Sequence, residues 1–167
     1  MTNQIDIPSG AKIKVVGVGG GGSNAVSRMY KERMPSVEYL VINTDKQALL
    51  RCDVPLRISI GDQLTEGKGV GGNPEKGAQA ANESREQLFE SLSEVDMVFV
   101  AAGMGGGTGT GAAPAIAEIA KQTGALTVGI VTTPFHFEGT RRMKNAVEGI
   151  EKLKANVDTL LIIPNER

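Results

Sequence analysis

The sequence holds one cysteine, Cys52, and one histidine, His136. A lone cysteine excludes a disulfide within the chain and suits a reducing cytoplasm. One Cys and one His cannot assemble a typical zinc site. Charge of either sign is not in excess: 18 basic against 19 acidic residues give a net charge of −1. There is therefore no basic footprint for nucleic acid, and an anionic ligand would have to be held by local backbone dipoles, not by a global field. No apolar run approaches the length of a membrane span, and the opening MTNQIDIPSG has no signal-peptide core. Residues 1–10 are expected to be a short mobile leader, with one domain over 11–167. Aromatic residues reach only 4%, with no tryptophan.

What is abundant is glycine, at 22 of 167 residues, roughly twice the usual share. The glycines are clustered, and the clusters sit between apolar runs. Ile13 to Val18, Tyr39 to Asn43, Leu56 to Ile60, Met97 to Ala102, Leu126 to Val131 and Val157 to Ile163 read as six strands. Helical stretches fall at 24–34, 74–92, 111–122 and 139–155. Alternation of Val- and Ile-rich strands with helices predicts a doubly wound, Rossmann-like α/β domain. Its six-stranded parallel sheet, in the order 3-2-1-4-5-6, carries helices on both faces and a ligand at the carboxyl ends of the strands. Asn73-Pro74-Glu75 reads as N-cap, first helical residue and acidic first turn. Pro114 lacks an N–H and is expected among the first four residues of its helix, which would then begin near Thr110 or Gly111. The stretch from Gly61 to Gly72 reads as the only long loop.

Two glycine clusters point to phosphate. The first, Gly17-Val-Gly-Gly-Gly-Gly22-Ser-Asn24, follows a strand and opens a helix. Glycines let backbone N–H groups face an anion, and the helix N-terminus adds partial positive charge. It also fits GxGxxG, with Asp45 placed as a ribose-binding acid would be, which leaves a dinucleotide-dependent oxidoreductase as a second reading. The second cluster, Gly103 to Gly111, has six glycines among nine residues, with Thr108 and Thr110 interleaved. A turn needs one or two, so six argue for a ligand. No GK[ST] follows, so this is not a Walker A loop and no lysine is built into it.

GGGTGTG at 105–111 resembles the signature of the tubulin/FtsZ family. GVGGGGSNAV, NTD at 43–45, GGNPE at 71–75, TTPFHFEGTRR at 132–142 and the terminal IPNER resemble its FtsZ branch, in the expected order. The resemblance covers nearly all of the chain after the leader. It implies the GTP-binding half of a self-assembling GTPase of bacterial cell division, with GTP or GDP as ligand and magnesium accompanying GTP. By the same resemblance, Gly20, Gly21, Gly22 and Asn24 line the diphosphate and base side. Gly103, Gly105, Gly106, Gly107, Thr108 and Gly109 cradle phosphates, and Gly71 and Gly72 respond to the γ-phosphate. Glu138 meets the ribose, Arg142 the ribose or phosphate side, and Asn165 guanine; Asn43 and Thr132 belong to the same nucleotide site.

Glu138 and Arg142, four apart, are expected on the flank of one helix whose buried stripe is Met143, Ala146, Val147, Ile150 and Leu153. His136, between Phe135 and Phe137, is expected to pack locally without a catalytic role. In the family a central helix and a second domain continue beyond the position of Arg167, and that domain supplies acids to the nucleotide of the adjacent subunit. The chain is thus expected to be a half-site with no catalytic residue of its own. It would bind GTP and barely hydrolyse it alone, dock head-to-tail on full-length subunits, and cap filaments, with no nucleic-acid partner and no membrane insertion. The division site in the cytoplasm is the implied location. A structural capping module without nucleotide is a third reading.

Overall fold

The computed structural model describes residues 10–164; the rest of the expected leader and Asn165 lie outside the described residues. Six parallel strands form one sheet in the order β3-β2-β1-β4-β5-β6. They are β1 (Ile13–Val18), β2 (Val37–Asn43), β3 (Leu56–Ser59), β4 (Met97–Gly103), β5 (Leu126–Thr133) and β6 (Thr159–Pro164). The order and direction are those expected from the alternating pattern. Within β1, Val16 and Val18 point into one core and Val15 into the other, the two-residue period of a strand covered on both faces.

The larger core lies under four helices. These are α4 (Pro74–Glu83), α5 (Arg85–Leu92), α6 (Thr108–Gln122) and α7 (Thr140–Lys154), which enclose Leu40, Ile42, Ile60, Leu88, Val100, Ile116 and Leu153. The second core is thinner. Here α1 (Gly19–Lys31) packs on β1, β2 and β4, and α2 (Lys46–Leu50) on β2 and β3. On β6, Leu161 and Ile163 remain half-exposed.

Several element boundaries differ from the sequence expectation. The helix predicted from Asn24 begins at Gly19, directly at the end of β1, and stops at Lys31. The predicted loop after Gly61 contains a one-turn helix, α3 (Asp62–Thr65). Its N-terminal donors are met by a distant carboxylate: Gln63 and Leu64 N–H donate to Glu83 at 2.9 and 3.1 Å. The helix predicted over 74–92 is broken at Ser84, whose hydroxyl accepts from Gly61 N–H at 3.1 Å. The Asn73 cap is as read: its side chain accepts from Glu75 and Lys76 N–H, with Pro74 first in the helix.

Pro114 overturns its expectation. It is the seventh residue of α6, which starts at Thr108. The missing N–H leaves the Thr110 carbonyl without its usual intrahelical donor. The wall facing that carbonyl is Gly149 of α7, where a Cβ would sit 3.2 Å from the Thr110 oxygen and closer still to its methyl. Gly149 therefore sets the α6–α7 approach, and it turns the buried stripe of α7 to Ala146, Gly149 and Leu153, with Ile150 partly buried. Val147, expected in that stripe, is 56% exposed.

Candidate functional site

Adjacent strands β1 and β4 each run into a helix at their carboxyl ends, and the two helices leave on opposite faces of the sheet. This is the switch point at which an open α/β sheet leaves a crevice. A cavity of about 460 Å³ opens there. Its floor is Gly20 and Gly21 of α1, Gly103 at the end of β4, and Gly106, Gly107, Thr108 and Gly109. Asn43, Thr44 and Asp45 close one side, Lys68 to Gly72 another, and Thr132 to Pro134 with Glu138 and Arg142 the third.

The helix starts are built for an anion. α1 and α6 both open on the cavity and have no side-chain cap; α3, α5 and α7 are likewise uncapped, while α2 and α4 are capped by Asp45 and Asn73. The first N–H groups of an uncapped helix have no intrahelical partner, and the dipole adds positive potential there. Two such ends converging on one cavity can together hold an anion such as a phosphate.

The glycines divide into two groups, and this corrects the argument from their number. Of the six in the second cluster, four answer to packing within the protein. A Cβ on Gly109 would lie 2.7 Å from the Gly103 carbonyl, and one on Gly105 would lie 2.8 Å from the Pro134 ring. One on Gly107 would collide with Val70 and one on Gly111 with the Pro74 carbonyl. In the first cluster, Gly22 is buried against the Ala101 carbonyl. A count of glycines thus carries less than it promised. Gly20 is the informative one: a Cβ there meets nothing within 4 Å and its φ is not positive, so no contact within the protein requires glycine at that position.

Most of the residues named from the sequence come together here. Among the described residues, Gly20, Gly21, Asn43, Gly71, Gly72, Gly103, Gly106, Gly107, Thr108, Gly109, Thr132, Glu138 and Arg142 line the cavity. Gly22 and Gly105 lie behind the lining, and Asn24 is exposed outside it. The sequence reading missed Thr44, Lys68, Gly69 and Val70. The Thr44 and Thr108 hydroxyls share a hydrogen bond of 2.8 Å. Nothing local marks Thr44, because its partner is 64 residues away.

Glu138 and Arg142 do not share a helix as expected. Glu138 ends a 3-10 turn (His136–Glu138), Gly139 breaks the chain direction, and Arg142 lies in the first turn of α7. They nevertheless pair, Arg142 Nε to Glu138 Oε1 at 3.0 Å, while Glu138 Oε2 accepts from Phe135 N–H at 2.8 Å. Asp45, the possible ribose acid of a dinucleotide site, caps α2 instead: its Oδ1 accepts from Gln47 and Ala48 N–H. His136 is exposed and does not line the cavity.

The Tubulin/FtsZ family GTPase domain matches this chain over residues 12–167. The chain belongs to the Tubulin/FtsZ family. Among solved structures, an empty FtsZ dimer of M. jannaschii is 52% identical with a TM-score of 0.90, over 93% of this chain and 45% of that one. CetZ1 of Haloferax volcanii, a GDP-bound monomer, is 31% identical with a TM-score of 0.84, over 92% of this chain and 51% of that one. CetZ2 of Haloferax volcanii, a GTPγS-bound protofilament, is 26% identical with a TM-score of 0.83, over 92% and 49%. The chain thus spans about half the length of the structures it matches. Family membership removes the oxidoreductase reading, and the chain is a tubulin-like GTPase domain. Among the described residues, no helix is long and apolar enough to cross a membrane.

Proposed function

We propose that this domain binds GTP and GDP in the cavity between the starts of α1 and α6, and that it is the nucleotide-bearing half of a filament-forming GTPase of cell division. The observation that carries the reading is the convergence of two uncapped helix N-termini on a cavity at the switch point of the sheet. The diphosphate would rest on Gly20, Gly21 and Gly106 to Gly109. Thr108 would donate its hydroxyl, Gly71 and Gly72 would meet the terminal phosphate, and Glu138 and Arg142 the ribose side. The guanine contact assigned to Asn165 lies outside the described residues. Two related structures, the GDP-bound CetZ1 monomer and the GTPγS-bound CetZ2 protofilament, support both the ligand and an assembling partner.

Magnesium fits this site as an ion carried in with the nucleotide. Among the described residues no group of three or more Asp, Glu, His or Cys could cage a metal. Asp45, Thr44 and Thr108 are oxygen-bearing residues that line the cavity, a sparse donor set of the kind magnesium accepts when phosphates and waters supply the rest. When bound, it would neutralise charge on the β- and γ-phosphates.

Hydrolysis also needs an oriented water. The two carboxylates bordering the cavity are engaged, Asp45 in capping α2 and Glu138 with Arg142 and Phe135 N–H. This favours completion of the site by an acid from the next subunit in a head-to-tail filament, with the chain by itself turning over slowly. The same proposal includes a capping action on filaments of complete subunits, in the cytoplasm at the division site.

The test is a binding panel of GTP, GDP, ATP and NADH with the 167-residue chain, followed by phosphate release with and without a complete family member whose own nucleotide site is disabled. Guanine nucleotides should bind, and turnover should rise on addition of the partner. Binding of NADH in preference to GDP would defeat the ligand assignment. Brisk hydrolysis by the chain alone would defeat the shared site.

A further inference from the structure

Four charged side chains line the cavity among the described residues: Asp45, Lys68, Glu138 and Arg142. Their formal charges cancel, yet a terminal phosphate adds about 1.5–2 negative charges. Three of the four are already committed at short range. Asp45 Oδ1 accepts two backbone N–H groups at 3.0 and 3.2 Å. Arg142 and Glu138 pair at 3.0 Å. Lys68 differs. Its ammonium stands 3.8 Å from Glu66 Oε1, and the two side chains are 80% and 76% exposed. So long and exposed a pair is worth little and is readily exchanged for a better anion.

The backbone of Lys68 is, by contrast, well fixed. Its N–H donates to the Thr65 carbonyl at 3.0 Å, and it forms an antiparallel bridge with Asp45 at the end of β2. The preceding Gly67 accepts from Lys46 N–H at 3.1 Å and donates to the Thr65 hydroxyl at 3.1 Å. A held backbone with an exposed, weakly paired cationic side chain on a residue that lines the cavity is what a phosphate-responsive lysine requires, since little ordering entropy is left beyond the side chain itself. Lys68 also precedes Val70, which packs where a Cβ on Gly107 would lie, so its loop rests directly on the second glycine cluster.

We propose that Lys68 is a binding residue for the terminal phosphate of a nucleoside triphosphate, supplying from the 61–72 segment the cation that the two glycine clusters lack; this rests on reading the cavity as a guanine-nucleotide site. Lys68 leaves Glu66 when the γ-phosphate arrives, and it discriminates triphosphate from diphosphate. It acts by direct charge pairing, so the discrimination weakens as salt screens it.

The experiment measures dissociation constants for GTPγS and GDP with the 167-residue chain and its Lys68→Ala, Lys68→Arg and Gly20→Ala variants, at about 50 and 500 mM salt. Lys68→Ala should weaken GTPγS roughly three- to tenfold and GDP less than about twofold, and Lys68→Arg should recover most of the loss. High salt should shrink the GTPγS preference of the parent but not that of Lys68→Ala. An unchanged GTPγS-to-GDP ratio in Lys68→Ala, with both nucleotides weakened in Gly20→Ala, overturns the proposal and leaves the site reading standing. Equal losses for GTPγS and GDP in Lys68→Ala also overturn it, since the contact would then lie elsewhere on the nucleotide. Absence of binding by the parent chain overturns the site reading, and the proposal with it.

Discussion

The hydroxyls of Thr44 and Thr108 meet at 2.8 Å although 64 residues separate them. Thr44 follows β2 and is 1% exposed; Thr108 is the first residue of α6 and lines the cavity. The bond ties the carboxyl end of the sheet to the start of the helix that opens on the cavity.

Thr44→Val and Thr108→Val should each lower stability by about 0.5–1.5 kcal/mol, the worth of one hydrogen bond. GDP affinity should fall further in Thr108→Val, because Thr108 stands at the start of α6 on the cavity floor whereas Thr44 is 1% exposed, and Thr108→Ser should restore it. Thermal melts and GDP titrations check this. Matching affinity losses in the two valine variants would mean that the hydroxyl pair acts only by bracing.

Gly109→Val and Gly20→Ala should fail in different ways. A Cβ at Gly109 lies 2.7 Å from the Gly103 carbonyl, so overpacking of about 1–3 kcal/mol reaches the fold itself. Gly20→Ala has open space around its Cβ and should melt with the parent, while GDP binding weakens because the methyl group enters the cavity. Urea unfolding alongside nucleotide titration separates the two effects. A Gly20→Ala variant that binds GDP as well as the parent would remove that residue from the phosphate cradle.

Gly149→Ala should reach the site from a distance. The new methyl would press on Thr110, whose Oγ1 accepts from Gly105 N–H at 2.7 Å. Strain of about 1–3 kcal/mol is expected, and displacement of Thr110 should loosen the glycine cluster, with faster amide exchange at 105–109. Faster exchange confined to α7, with 105–109 unchanged, would show that the crossing is uncoupled from the cluster.

Asp158 should give the fold an acid-sensitive joint. Its carboxylate accepts from Thr127 N–H at 2.8 Å and from the Lys121 ammonium at 3.2 Å. The backbone bond first, and Lys121 second, hold its pKa below the usual carboxylate value. A folded pKa below the unfolded one means that the stabilisation is fully present above the unfolded value, about 3.9, and is lost as pH falls through the folded value. Asp158→Asn should therefore melt below the parent at neutral pH, with the gap closing below about pH 4. A gap that stays constant down to acid pH would show that charge is not the cause.

By itself the sequence determined the six strands, their parallel order and the position of the crevice, because Val- and Ile-rich runs separated by helical segments have few other ways to bury both faces. It also placed most of the cavity lining, since glycines at strand–helix junctions mark where backbone must face outward. Short-range signals served it least well where the decisive contact is remote. Pro114 lies deep in α6, a position that local rules for proline disfavour, and α7 packs over the opened turn at Gly149. Ser84 breaks one expected helix into two and holds Gly61, 23 residues away. Most of the second glycine cluster answers to Val70, Pro74, Pro134 and the Gly103 carbonyl rather than to a ligand. Only the tertiary structure could separate glycines required by packing from glycines left open, because the two kinds are identical in sequence and differ solely in what stands where a Cβ would be.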